Sequence, residues 1–177
     1  MKILGIVVLS GTLALAAGCA TGGKATAPAG KVGEVERIAA LDAALGAERE
    51  ETKVPGLLFE RGHAYLEAAE SIRDRRGERT PEGRPSTEFA TLILGALSDF
   101  EAVANRYPAS PEAPEALFHV GVVYDYPNLA NFDVAMRYYR QTIEKYPGTD
   151  SAAKAKDALG ILEARITEVQ EGRHGVK

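Results

Sequence analysis

The sequence predicts an all-α fold, a short solenoid of about two and a half helix pairs preceded by a flexible tether and one extra helix. Three observations carry that expectation. Of 177 residues, 45% are apolar, 7% are aromatic and none is Trp, a balance rich in Ala and Leu that suits helices better than a β-sandwich or barrel. The segment RYPASPEA at 106–113 returns as KYPGTDSA at 145–152, a spacing of 39 residues. Apolar residues recur at three-and-four spacing before each copy: Phe89, Leu92, Ile93, Ala96, Leu97, Phe100 and Val103, then Phe132, Ala135, Tyr138, Tyr139, Ile143 and Tyr146. The composition also sets limits. One Cys permits neither an internal disulfide nor a Cys-rich zinc site, and a net charge of -4 argues against nucleic acid as a partner. The apolar content is too high for a disordered chain, and no run of about 18 apolar residues exists to span a bilayer.

Residues 1–18 have one positive charge at Lys2, an apolar stretch from Ile3 broken by Ser10, Gly11 and Thr12, and then small residues, which is the profile of a signal peptide. Leu15-Ala16-Ala17-Gly18-Cys19 resembles the lipobox of bacterial lipoproteins, with Ala16 where Leu is usual and Leu15 one position early. The resemblance implies cleavage before Cys19, acylation of Cys19 and attachment to a membrane through that lipid. Cleavage near Ala17 as an ordinary secretory signal would instead leave Cys19 a free thiol. Residues 19–33 continue as small residues and Gly without an apolar period, a tether with an end-to-end distance of roughly 20 Å. By the sorting rule of Gram-negative lipoproteins, Ala20 implies the outer membrane rather than the inner one.

Residues 34–52 form a predicted helix with Val35, Ile38, Leu41 and Leu45 on one side. It would either pair with another copy as a coiled coil, which Asp42 interrupts, or cover the open end of the repeats. From residue 54 the repeat organises the chain. Thirteen residues after Pro108 and Pro147 stand Gly121 and Gly160; twelve before them stand Ala96 and Ala135, and eight before them Phe100 and Tyr139.

These landmarks resemble the tetratricopeptide repeat, a helix hairpin with Gly and Tyr on its first helix and Ala, an aromatic and Pro on its second. The resemblance covers residues 54–171. It implies one repeat with Gly62, Tyr65, Ala96, Phe100 and Pro108, a second with Gly121, Tyr124, Ala135, Tyr139 and Pro147, and a capping helix at 151–171 that keeps Gly160. Small residues would let helices approach closely, and Tyr65, Tyr124, Phe100 and Tyr139 would fill the space between neighbouring pairs. Pro108 and Pro147 stop helices, and Ser110, Pro111 and Glu112 are expected to restart one as cap, first residue and favourable anion. Two departures stand out: Leu58 and Leu117 replace a large aromatic, and Arg61 takes a position that is usually apolar. Residues 72–87, IRDRRGERTPEGRPST, read as a polar loop inserted in the first repeat, and 172–177 as a polar tail.

No Gly-rich phosphate loop, zinc helix motif, Ser elbow or Cys nucleophile occurs, so neither an enzyme nor a cofactor is expected. Glu60, His63 and Glu67 share a helical face, but His119 lies 56 residues on and His174 in the tail, so no metal site is expected. Stacked helix pairs line their concave side with first-helix residues. The register therefore nominates a partner-binding groove of Phe59, His63, Leu66, Phe118, His119, Val122 and Tyr126, flanked by Lys154, Asp157 and Arg165, with Phe59 and Phe118 readable equally as core. Such a groove suits an extended or helical peptide.

Lipobox, tether and repeats together are similar to two envelope groups, the TPR lipoproteins of the outer-membrane β-barrel assembly machine and the periplasmic TPR proteins associated with the Tol-Pal system. The similarity implies a lipid-anchored, periplasm-facing scaffold that binds an envelope protein or peptide segment. A pilotin-like secretion accessory and a regulatory subunit of a cell-wall enzyme are the alternatives.

Overall fold

The computed structural model describes residues 33–76, 86–126, 129 and 131–174, and every regular element among them is helical. The expected signal peptide, Cys19, the expected tether up to residue 32, the centre of the Arg-rich insertion at 77–85 and the last three residues of the expected tail lie outside the described residues.

Helix α1, Glu34–Ala47, is shorter than the predicted 34–52. Glu48 turns extended (φ -68°, ψ 134°), and its carboxylate accepts the backbone N–H groups of Arg49 and Glu50 at 2.8 Å each. Those donors are thereby withdrawn from the helix, and a 3-10 turn, Glu51–Lys53, leads into α2, Val54–Arg76. Arg37 pairs with Glu60 and Glu67, and Asp42 with Arg61, so α1 runs antiparallel along the α2 face that also carries the buried Ala64 and Ala68. Of the two expected roles, α1 has here that of a cover on the first helix pair.

That pair is α2 with α3, Thr87–Arg106, and α4, Ala113–Asp125, with α5, Phe132–Lys145, forms the second; α6, Asp150–His174, closes the array. Each helix packs chiefly against the next, and α6 also touches α4. The repeated glycines explain the pairing. A Cβ on Gly62 would lie 2.7 Å from the Phe100 ring, and one on Gly121 would lie 2.6 Å from the Tyr139 ring and 3.4 Å from the carbonyl oxygen of Ala135. Each glycine is the seat of a ring from the second helix of its own pair, and Ala96 and Ala135 are fully buried beside these seats. Tyr65 departs from its expected place between pairs: its ring lies over Gly95 of α3, within its own pair. Tyr124 stacks on Tyr138 of α5, with ring centres 5.7 Å apart.

Several boundaries move. Ile72, assigned to the insertion, is 6% exposed in the core with Ala69, Phe89 and Ile93, because α2 continues past it to Arg76 and Ile72 stands one turn after the buried Ala68 and Ala69. Ser86 caps α3, accepting from the N–H of Phe89 at 3.1 Å. Ser110 is not the cap of α4. Its N–H donates to Tyr107 in a turn, and α4 starts at Ala113 with Pro114 in its first turn. At the second hinge Thr149 accepts from the N–H of Ala152 at 3.2 Å, and Gly148 adopts φ 80°, which glycine takes without strain. Tyr146 donates its hydroxyl to the carbonyl of Pro108 at 3.1 Å, tying the two hinges together. Helix α6 reaches His174, so the first residues of the expected tail are helical.

The array ends by a change of chemistry. Lys156 and Glu163, both exposed, stand on α6 at the positions of Leu117 and Tyr124 on α4, and a Cβ on Gly160 would meet nothing within 4 Å. A polar outer face is what the last element of a solenoid needs in order to end in water.

Candidate functional site

Residues on the first helices of the two pairs meet around one ring. Phe100, fully buried, is pressed onto α2 at Gly62 and presents its other edges to Phe59 at 5.8 Å, His63 at 5.3 Å and His119 at 5.1 Å, the last stacked at 20°. Phe59 and His63, one turn apart on α2, meet edge to face at 4.6 Å. His63 then meets His119 of α4 at 4.5 Å and 84°, and Phe118 continues the row from His119 at 5.5 Å to Tyr139 at 5.8 Å. Edge-to-face pairs of this kind contribute about 0.5–1.5 kcal/mol each beyond the area they bury.

The row joins two cores. Ala69, Ile72, Phe89, Ile93, Phe100, Val103 and the inner face of α4 make one cluster, against which Phe59 packs; Ala135, Tyr139, Ala155 and Leu162 make the other, against which Phe118 packs. His119 touches rings on both sides. Its side chain is 17% exposed, its Nδ1 is buried without a hydrogen-bond partner among the described residues, and its Nε2 lies 3.9 Å from Glu115. Burial pushes its pKa down to about 4, and the neighbouring His63 adds to the fall. His63 is also held below 6.5, first by burial, although Glu115, Glu67 and Glu60 pull the other way. Both imidazoles are therefore neutral at pH 7.

The nominated groove residues divide between seams and edges. Phe59, His63, Phe118 and His119 are brought together, all half-buried; Leu66 packs against the first cluster and Val122 against the second. Tyr126 lies at the end of α4 and donates to Glu70 of α2 at 2.5 Å. Lys154 reaches Glu115 at 3.2 Å, Arg165 approaches Asp125 at 3.6 Å, and Asp157 is exposed. Asp125 has a pKa raised by burial, which Arg165 and the Tyr139 hydroxyl only partly offset.

Phe100, placed by the sequence in the repeat framework alone, is the centre of the row. Its seat on Gly62 was the available signal. A second polar feature also escaped sequence reasoning. Arg61 grips Asp99 of α3 with two bonds of 2.8 and 2.7 Å and also reaches Asp42 of α1; Asp99 is only 3% exposed. The apolar position that Arg61 replaces is thus filled by an ion pair that fastens three helices. Beside it lies a shallow cleft of about 580 Å³, lined by Leu58, Leu94, Leu97 and Arg106 among others, with Leu94 62% exposed and none of the ring residues in its wall.

Glu60 and Glu67, which flank His63, are engaged by Arg37 of α1. Among the described residues no three His, Cys, Asp or Glu side chains are gathered to hold a metal ion, and no helix is long and apolar enough to cross a membrane. Compared with known proteins, the sequence matches no family model and no curated protein.

Proposed function

We propose that this chain is a lipid-anchored, non-enzymatic scaffold of the TPR type that faces the periplasm and docks a helical or extended segment of an envelope protein along α2 and α4. One observation carries the docking reading. Phe59, His63, His119 and Phe118 form a continuous, partly exposed row across two helix pairs, flanked by Leu66 and Val122, so a segment lying along it would meet rings and aliphatic groups over its whole length. The anchor rests on the lipobox at Leu15–Cys19 and on Ala20, which by the sorting rule favours the outer membrane.

The test combines anchor and surface. Cys19→Ala should move the protein from the membrane fraction to the soluble one, and retention in a salt-washed pellet would refute the anchor. A photocrosslinker at Val122 should give a discrete adduct in intact envelopes, whereas one at Lys156, on the polar outer side of α6, should not. Equal adducts from both positions would remove the docking assignment.

A further inference from the structure

We propose that the His63–His119 contact is a proton-operated latch, which holds the two helix pairs together while both rings are neutral and loosens the seam between them when either takes up a proton. The latch deepens the docking reading by giving that surface a regulator. The geometry by itself predicts the direction. Among the described residues His119 is the only ring that touches both Phe100 of the first core and Phe118 at the second, and it meets His63 at 4.5 Å. A second positive charge at that separation would repel the first.

Hydrogen bonding points the same way. A protonated imidazole carries two N–H donors. For His119 one would face Glu115 across 3.9 Å, and the other, on Nδ1, would be buried with no acceptor among the described residues. An unmatched buried donor is costly, and cheapest to relieve by letting the ring out of the seam.

The surroundings are mixed in sign. From α1 comes Arg37; from α2, Phe59, Glu60 and Glu67; from α3, Phe100; from α4, Glu115 and Phe118; from α6, Lys154. Glu60, Glu67 and Glu115 favour the protonated rings, Arg37 and Lys154 oppose them, and burial, the largest effect on each ring, opposes them too. Because both folded values lie below the ordinary 6.5, the unfolded chain binds protons first on acidification. The stability contributed by the neutral seam is complete above that value and is lost as the pH falls toward the folded ones. With His119 near 4, the folding equilibrium constant should drop on the order of 10- to 30-fold between pH 7.5 and pH 5.

The experiment uses the soluble Cys19→Ala protein without any partner, so its outcome is independent of whether a segment docks. A His174→Gln background leaves two imidazoles, whose titration by NMR should show both midpoints below 6.5 and mutually dependent. Urea unfolding at pH 7.5 and pH 5 should show the drop in the parent. His119→Phe, which keeps a ring and loses the proton site, should abolish most of it, as His119→Gln should if the larger ring does not fit. Midpoints at or above 6.5, or the same loss in parent and variants, would overturn the latch while leaving the docking surface to its own crosslinking test.

Discussion

Gly62, Gly121 and Gly160 occupy one register position in three successive first helices, yet replacing each by Ala should not have one effect. In a helix interior, Ala is favoured over Gly by about 1 kcal/mol because it loses less backbone freedom on folding. At Gly160 nothing lies within 4 Å of the added methyl, so that gain should appear undiminished. At Gly62 the methyl would stand 2.7 Å from the Phe100 ring, and at Gly121 2.6 Å from the Tyr139 ring. Forcing a methyl into a packed contact costs about 1–3 kcal/mol, which cancels or exceeds the gain.

Gly160→Ala should therefore raise the melting temperature by about 2–4 °C, and Gly62→Ala and Gly121→Ala should lower it by up to about twice that, the shift per kcal/mol being that of a chain of this size. Gly121→Ala should be the worse of the two, since two atoms of the Tyr139 ring would lie within 2.7 Å of its Cβ, against one atom of the Phe100 ring at Gly62. Thermal unfolding followed by circular dichroism measures all three. A double cycle completes the case: Gly62→Ala should cost little or nothing in a Phe100→Leu background, where the ring edge is gone. If all three alanines stabilise alike, the glycines are not ring seats and the account of the helix pairing fails.

Removing Arg61 should be severe, about 3–5 kcal/mol by urea unfolding of Arg61→Ala, because Asp99 is left buried without a cation; Asp99→Asn, which keeps polar partners for Arg61 and leaves Asp42 in place, should cost clearly less. Replacing both Phe59 and Phe118 by Ser should lower stability by roughly 2 kcal/mol per ring, about half the cost of truncating a fully buried Phe, since each is half-buried and packs on a core cluster. A double variant as stable as the parent would show that neither ring serves the seam.

What the sequence made legible was the part of the fold that repeats. Gly62 with Phe100 and Gly121 with Tyr139 are the same contact made twice; the 39-residue offset between the two hinges betrays the rings, and the repeat pattern the glycines, which stand 59 residues apart across the insertion. Contacts made once left no such trace. Gly95 under Tyr65 has no counterpart in the second pair, where Val134 holds the equivalent place. Arg61 looked like a defect in the pattern because its partners, Asp42 and Asp99, are 19 and 38 residues away and neither belongs to the repeat signature. Local polarity misled in the other direction at Ile72, which the arginines after it drew into the supposed loop although it completes the apolar stripe of α2.

The site was legible by face and illegible by partner. Register identified Phe59 with Phe118 and His63 with Val122, and each of these does lie on the flank that its helix turns toward the neighbouring pair. A wheel assigns directions about one axis, however, and says nothing of how far two axes are staggered. His119 is one turn before Val122, the residue equivalent to His63, so sequence alone gave no reason to join the histidines; Val122 packs on the second cluster, and it is His119 that meets His63 across the seam, at 4.5 Å. The chemistry of the surface thus depends on which flank of α4 meets α2, and the buried Phe100, seated on Gly62 and stacked on His119, is the ring that joins the two helices.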